Sequence, residues 1–486
     1  MGDARGSRRA LVLAALALPA LVALTLPVAD VRAAGPLRTA IDHSAFFTNS
    51  ELELAYQRTR AAGATSIKIV LPWRDIAPAS PDDFEPTDPG DAKYSWDRFD
   101  DEVRLAVAAG LEPFVTIDEA PSWAERSSGG RAGTNSPDPV QLGYFAEAAA
   151  RRYSGNFKGL PRVRRFEAWN EPNASFFLTP QKQGTRFLAA ELYRKMVNSF
   201  SAAVHGVHAD NEVIAGATYP FIANRPGAQA VGPLQFMRAL FCLDTRLRPI
   251  GGCGEPVRFD IWSHHPYTSG GPTHRAADPN AVSIRELPRM RRVLDAAART
   301  GRAISPHPIP FWVSEFSWDS NPPDPGGVPT GLHARWVAEA LYRMWRSGVS
   351  LVTWFKLRDD GPSGGKRNSQ IFQSGLYFRC WSLACDTPKP ALRAFRYPFV
   401  AIRSGRRVYV WGRIPSGKGG TVIVQQRVGK RWRRLRRLST NEYGIFSRRI
   451  PTRRRGGLRA VLADGSDVSV AFSLVRPPDR PVNPFG

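Results

Sequence analysis

The sequence predicts an α/β chain, a (β/α)8 barrel followed by a small all-β sandwich. Short apolar runs alternate with amphipathic stretches of helical length eight times between Leu37 and Phe395. Strict alternation of this kind implies right-handed crossovers and a parallel sheet. The connections are lopsided, with short glycine-marked links into the strands and long loops leaving them. Beyond Pro398 the hydrophobic period drops to two, the mark of half-buried strands, at Arg407 to Trp411, Thr421 to Gln425, Leu458 to Leu462 and Val468 to Phe472.

Eight runs read as strands: Leu37 to Ile41, Ser66 to Leu71, Leu111 to Ile117, Val163 to Trp169, Glu212 to Gly216, Phe259 to Ser263, Phe311 to Ser314 and Leu351 to Phe355. Helical patterns fill the gaps at Glu51 to Ala62, Trp96 to Ala109, Pro139 to Tyr153, Thr185 to His205, Gly232 to Phe241, Ser283 to Thr300 and Leu332 to Ser347. A shorter one lies near Lys389 to Phe395. Gly63, Gly110, Gly301 and Gly348 each follow a helical pattern directly, where a left-handed residue ends a helix at no steric cost. The loops after the strands, such as Glu119 to Asp138 and Ser317 to Gly331, are rich in Pro, Gly, Asp and aromatic residues. Elaboration at strand C-termini is the habit of a closed barrel, and it favours that fold over a doubly wound open sheet.

A chain of 486 residues accommodates one such barrel and a modest appendage. Arg5, Arg8 and Arg9 precede an apolar run from Leu11 to Val28, and Val31-Arg32-Ala33 offers small residues for processing. That is an export signal over residues 1–33, and Arg8-Arg9 also fits the twin-arginine route. An uncleaved anchor is the alternative, since the run approaches bilayer-spanning length. Either way the chain is expected to be secreted or held at the cell surface. The barrel then covers 34–397, a basic β-sandwich 398–475 and an extended tail 476–486.

Export also decides how the four cysteines are read, because oxidising compartments favour pairing. Cys242 with Cys253, and Cys380 with Cys385, close two local loops, the simplest of the three connectivities. Zinc is disfavoured, since neither pair has C-x-x-C spacing or a nearby histidine. The formal net charge is +24. From Pro398 onward 20 Lys and Arg face 4 Asp and Glu, so +16 of that charge belongs to the last segment.

Two strands end on carboxylates. Phe166-Glu167-Ala168-Trp169-Asn170-Glu171-Pro172-Asn173 runs apolar until proline stops the ladder, and Pro310-Phe311-Trp312-Val313-Ser314-Glu315-Phe316 ends likewise. The C-terminal rim is where barrel chemistry is performed. Cleaving a glycosidic bond needs two carboxylates facing each other across that rim.

These strands resemble the clan of retaining glycoside hydrolases that carry the acid/base on strand 4 and the nucleophile on strand 7, and they are similar to families 5 and 39. Asp260-Ile261-Trp262-Ser263-His264-His265-Pro266-Tyr267 is similar to the clan's strand-6 histidine-x-tyrosine. The resemblance implies Glu171 as general acid/base, Glu315 as nucleophile and Asn170 as donor to the sugar 2-hydroxyl. It implies that His265 and Tyr267 orient the carboxylates and that Trp354 floors the sugar site. Trp318, at the strand-7 end, is a second candidate platform. The sequence departs from the pattern at Lys68, where many members have arginine; lysine keeps the charge but not the bidentate fork.

Blander readings stand beside these. His264 and His265, as strand neighbours, point to opposite faces, so they do not share a metal, and His264 packs outside the barrel. Asp359-Asp360 reads as a solvated loop pair. No serine-nucleophile motif, phosphate loop or nucleotide fingerprint appears, so no cofactor or metal is expected. The run Lys430 to Arg437 interleaves Trp432 with arginines; it reads as a solvated strand face, or as a contact for anionic wall polymer or polysaccharide, with no nucleic acid expected in an exported protein. Carbohydrate is the expected substrate. The competing reading is a sugar-binding or adhesion protein on a barrel that no longer turns over.

Overall fold

Eight parallel strands close on themselves: β1 (Arg38–His43), β2 (Ser66–Pro72), β3 (Glu112–Asp118), β4 (Arg165–Ala168), β5 (Glu212–Thr218), β6 (Ile261–His264), β7 (Phe311–Val313) and β8 (Val349–Trp354), each paired with its sequence neighbour and β8 with β1. The structure is a computed structural model that describes residues 35–43, 49–225, 227–362, 367–452 and 455–484. The predicted leader lies outside the described residues. Among those residues no helix is long and apolar enough to cross a membrane.

The helices are α1 (Leu52–Ala61), α2 (Asp97–Ala108), α3 (Pro139–Arg152), α4 (Leu188–Val207), α5 (Pro233–Leu240), α6 (Leu287–Arg299), α7 (Thr330–Arg346) and α8 (Pro390–Arg396). Their ends follow local chemistry. Asp138 caps α3 by accepting from the backbone of Val140 and Gln141, with proline at the first helical position. α6 begins four residues later than its periodicity predicts, because a separate capped turn over Ile284–Glu286 precedes it and Pro288, lacking an N–H, suits the first turn. The four helix-ending glycines have φ between +70° and +85°.

Barrel strands alternate faces, so residues two apart stack in layers along the axis. The lowest is apolar: Ala40, Phe114, Ile214, Ile261, Trp312 and Leu351 form one buried cluster. Each such large side chain contributes on the order of 1.5–3 kcal/mol of burial. Two residues further on, the same strands carry Asp42, Thr116, Ser263, Ser314 and Thr353, all buried. Glu167 bridges this polar layer by accepting from Thr116 Oγ1 and Ser263 Oγ, both at 2.7 Å. A dry floor thus supports a hydrogen-bonded layer, and the rim above it carries the carboxylates.

Beyond the barrel come six strands, two more than the period-two pattern predicts. β9 (Phe399–Ser404), β10 (Arg407–Arg413) and β13 (Ile445–Pro451) form one antiparallel sheet. β11 (Thr421–Val428), β12 (Arg431–Ser439) and β14 (Leu458–Leu462) form the other, in the order β12-β11-β14. The predicted strand Val468 to Phe472 makes only isolated bridges at its two ends. β12 coincides with the run Lys430 to Arg437 that reads as a solvated strand face, and a bulge opposite Val424 and Gln425 breaks its alternation.

Residues 35–486 form one compact unit. Arg413 of β10 is buried against the start of β1, donating to Leu37 O at 2.7 Å, and burial pulls its guanidinium down to about 10. Trp411 packs on Tyr342 and Trp345 of α7. Residues 479–482 return to the barrel's opposite end: Asp479 meets His274 at 2.7 Å and Val482 N–H donates to Ser269 O. Both predicted disulfides are formed, Cys242–Cys253 and Cys380–Cys385.

Candidate active site

Glu171 and Glu315 converge at the rim. One oxygen of each, with a ring nitrogen of His265, lies within 4.8 Å of the others. Glu171 follows β4 in a left-handed turn, φ +74° at Trp169 and +40° at Glu171, conformations that non-glycine residues hold only when their surroundings enforce them. Here Trp169 N–H donates to Ile117 O, Glu171 N–H to Ala217 O, and the Trp169 indole to Phe177 O. The turn aims the carboxylate across the mouth toward β7.

Each carboxylate has its own partners. His265 Nδ1 meets Glu171 Oε1 at 2.8 Å while Nε2 meets Ser314 Oγ at 3.1 Å. Burial, and then the charge of Lys68, hold this imidazole well below its usual pKa, so it is a neutral strut. Tyr267 donates to Glu315 Oε1 at 2.7 Å. Lys68 Nζ lies 3.5 Å from Glu315 Oε2 and 3.1 Å from Asp42 Oδ2. Burial pulls the lysine down, but Asp42, Glu315 and Glu167 outweigh it and its pKa rises.

The consequence is an unequal pair. Burial and then the charge of Glu315 push Glu171 well above the usual carboxylate range. Burial also raises Glu315, yet Lys68 and the Tyr267 hydroxyl act against it. With the cation and the phenol both on Glu315, the proton belongs to Glu171 and the negative charge to Glu315. Although three ligand-bearing groups cluster here, Lys68 already supplies the positive charge that a cation would bring.

Other predicted residues fall differently. Asn170 sits beside Glu171 with a buried Oδ1 that has no partner among the described residues. His264 is buried on the opposite face of its strand, between Thr218 Oγ1 and Val282 O. Trp318 and Trp354 are 0% and 1% exposed, so neither presents a face to a sugar. The Trp318 indole is spent on Thr268 O and Gly270 O, clamping the loop that follows Tyr267, and Trp354 donates to Ser374 O. Half-buried rings near Glu171 are instead Phe176, Tyr219 and Phe221, packed edge to face. Burial, then the Glu171 charge, push the Tyr219 phenol up to about 12. Asp359 and Asp360 are not a solvated pair: Lys389 and Lys356 hold them at 2.5 Å each.

Sequence reasoning missed Asp42 and Asp118, although both end strands just as Glu171 and Glu315 do. Asp118 continues the inward series Phe114, Thr116 on β3, and its Oδ1 is buried without a donor among the described residues. Burial, then neighbouring Glu119, push it up to about 7. Glu119 itself turns outward at φ +54° into ion pairs with Arg131 at 2.7 Å and Arg74 at 3.2 Å. A folded-state pKa above the unfolded value means stability is lost as pH rises toward and through 7. Asp118→Asn should therefore raise Tm more at pH 8 than at pH 4, read by thermal unfolding at both.

The fold is that of the (β/α)8 barrels found among glycoside hydrolases. No family model matches the sequence, and no curated protein does. Among solved structures the chain is similar to a family 39 glycoside hydrolase from the gut symbiont Bacteroides cellulosilyticus WH2, at TM-score 0.51 and 16% identity over 86% of this chain and 81% of that one. It also matches a GH30 endoxylanase from Clostridium papyrosolvens C71, at TM-score 0.46 and 9% identity over 86% and 94%.

Proposed function

We propose that the chain is an exported retaining β-glycoside hydrolase acting on a poly- or oligosaccharide. The observation that carries the reading is the close pair Glu171 and Glu315, with Lys68 and Tyr267 both on the latter. Retaining enzymes place their carboxyl groups about 5–5.5 Å apart and inverting ones about 6.5–9.5 Å; oxygens within 4.8 Å support the first. Glu315 attacks the anomeric carbon as the bond to the leaving oxygen breaks, and Glu171 gives that oxygen its proton. The ester then neutralises Glu315, Glu171 becomes an effective base, and it takes a proton from the water that displaces the ester. Asn170 and Asp118 stand where ring hydroxyls would come, and the Phe176, Tyr219, Phe221 wall borders the acid.

Lys68, the departure that motivates a binding-only protein, reaches Glu315 and so supports turnover. The leader and two disulfides support export. The test is a panel of β-linked glycans and aryl glycosides followed by proton NMR: the first-formed sugar should be the β anomer. First-formed α anomer, or binding with no hydrolysis, would overturn the reading.

A smaller test isolates the phenol. Tyr267→Phe removes a hydrogen bond that lowers the Glu315 pKa, so the acid limb of kcat/KM should move to higher pH while kcat falls about tenfold, a loss of roughly 1.4 kcal/mol. An unmoved limb would free Tyr267 of that role.

A further inference from the structure

Outside the barrel, α8 and the sheet β12-β11-β14 enclose a cleft of about 660 Å³. Pro388, Pro390, Leu392 and Arg393 form one wall, Trp432 and Arg459 the other, and Val468 to Ala471 close it. The register says which side chains share its face. Trp432 pairs with Arg427, Arg434 with Gln425, and Arg437 with Ile423, and opposite residues in an antiparallel pair point the same way. Arg459 of β14 also pairs with Gln425 and joins that face. The bulge at Leu435 puts Arg437, rather than Arg436, next in line after Arg434. A cation row beside one indole is thus set by the backbone.

Its parts are poised differently. Arg459 lies over the Trp432 ring, 4.2 Å from the centroid, and its Nε donates to Gln425 Oε1 at 2.9 Å, so this pair is preorganised. Arg393, Arg434 and Arg437 are exposed, and none of them makes an ion pair or side-chain hydrogen bond among the described residues. β12 pairs on one side alone, leaving the edge of the sheet beside these arginines open.

We propose that this cleft, together with Arg434 and Arg437 that continue its sheet face beyond the lining, binds an acidic glycan chain, with a sugar ring packed on Trp432 and carboxylates held by Arg393, Arg434 and Arg437. The indole supplies a flat apolar face and the guanidiniums match planar carboxylates bidentately. The choice of a glycan over nucleic acid rests on the glycosidase reading of the barrel; the binding itself does not.

The test is affinity electrophoresis of the full chain carrying Glu315→Ala, so that nothing is digested, in gels containing polygalacturonate, neutral dextran or single-stranded DNA. Retardation by polygalacturonate alone is expected. Trp432→Ala should weaken it about tenfold, equivalent to roughly 1.4 kcal/mol, and Arg434→Gln with Arg437→Gln should flatten its salt dependence. Both sites are surface positions on an edge strand, and hydrolysis of a small aryl glycoside by each variant on the unmutated background should match wild type. Unchanged retardation in Trp432→Ala, equal retardation by DNA, or none by polygalacturonate would overturn the proposal. None of these outcomes bears on Glu171 and Glu315, whose failure shows only in hydrolysis.

Discussion

Glu171→Ala should lower turnover of glycosides with poor leaving groups by about 10²–10⁴-fold, while aryl glycosides with acidic phenols keep much of their first-step rate. The asymmetry follows from where the proton goes. A leaving group stable as an anion needs no proton from Glu171, whereas a sugar alkoxide does. Because Glu171 also serves as base afterwards, the variant should accumulate glycosyl-enzyme on activated substrates, seen as a burst in released phenol. Glu315→Ala removes the attacking oxygen, so turnover should vanish on both substrate types. Equal losses on both types for Glu171→Ala would contradict its role, and the steady-state rates of the two variants decide it.

Lys68→Met should be the most damaging change away from the carboxylates. It strips the compensating charge from buried Asp42, and breaking a buried ion pair from one side costs about 3–5 kcal/mol. Lys68 also lowers the Glu315 pKa, so its loss raises that pKa and moves the acid limb of kcat/KM to higher pH. The two effects separate in the double variant with Asp42→Asn. Removing the orphaned carboxylate should restore much of the lost Tm, because no unpaired charge remains, while the limb, since Asp42 itself raises the Glu315 pKa, returns only part of the way. A limb that does not move in Lys68→Met would mean that Lys68 acts only through folding.

The barrel was legible because its elements obey simple periods. Every strand and helix of the (β/α)8 unit falls within a few residues of its pattern, and even Pro288 marks where α6 begins. The rim was legible in part. Glu171 and Glu315 stood out by flanking motif, but the same strand-end rule reaches Asp42 and Asp118, whose short contexts carry no motif. Burial of Trp318 and Trp354 could not be read from a strand end, since it depends on loops from β6 and β8 folding over them. β12 was legible as a solvated strand face but not by its period, because a bulge resets the period-two pattern halfway along.

The β region grips the barrel at both ends, with Arg413 at the start of β1 and Asp479 and Val482 on the loop that carries Tyr267. Those last contacts tie residues 479–482 to the segment that follows Tyr267, so the β region is a brace as well as an appendage. A proteolytic cut between β14 and Asp479 should loosen that loop without touching any side chain at the rim.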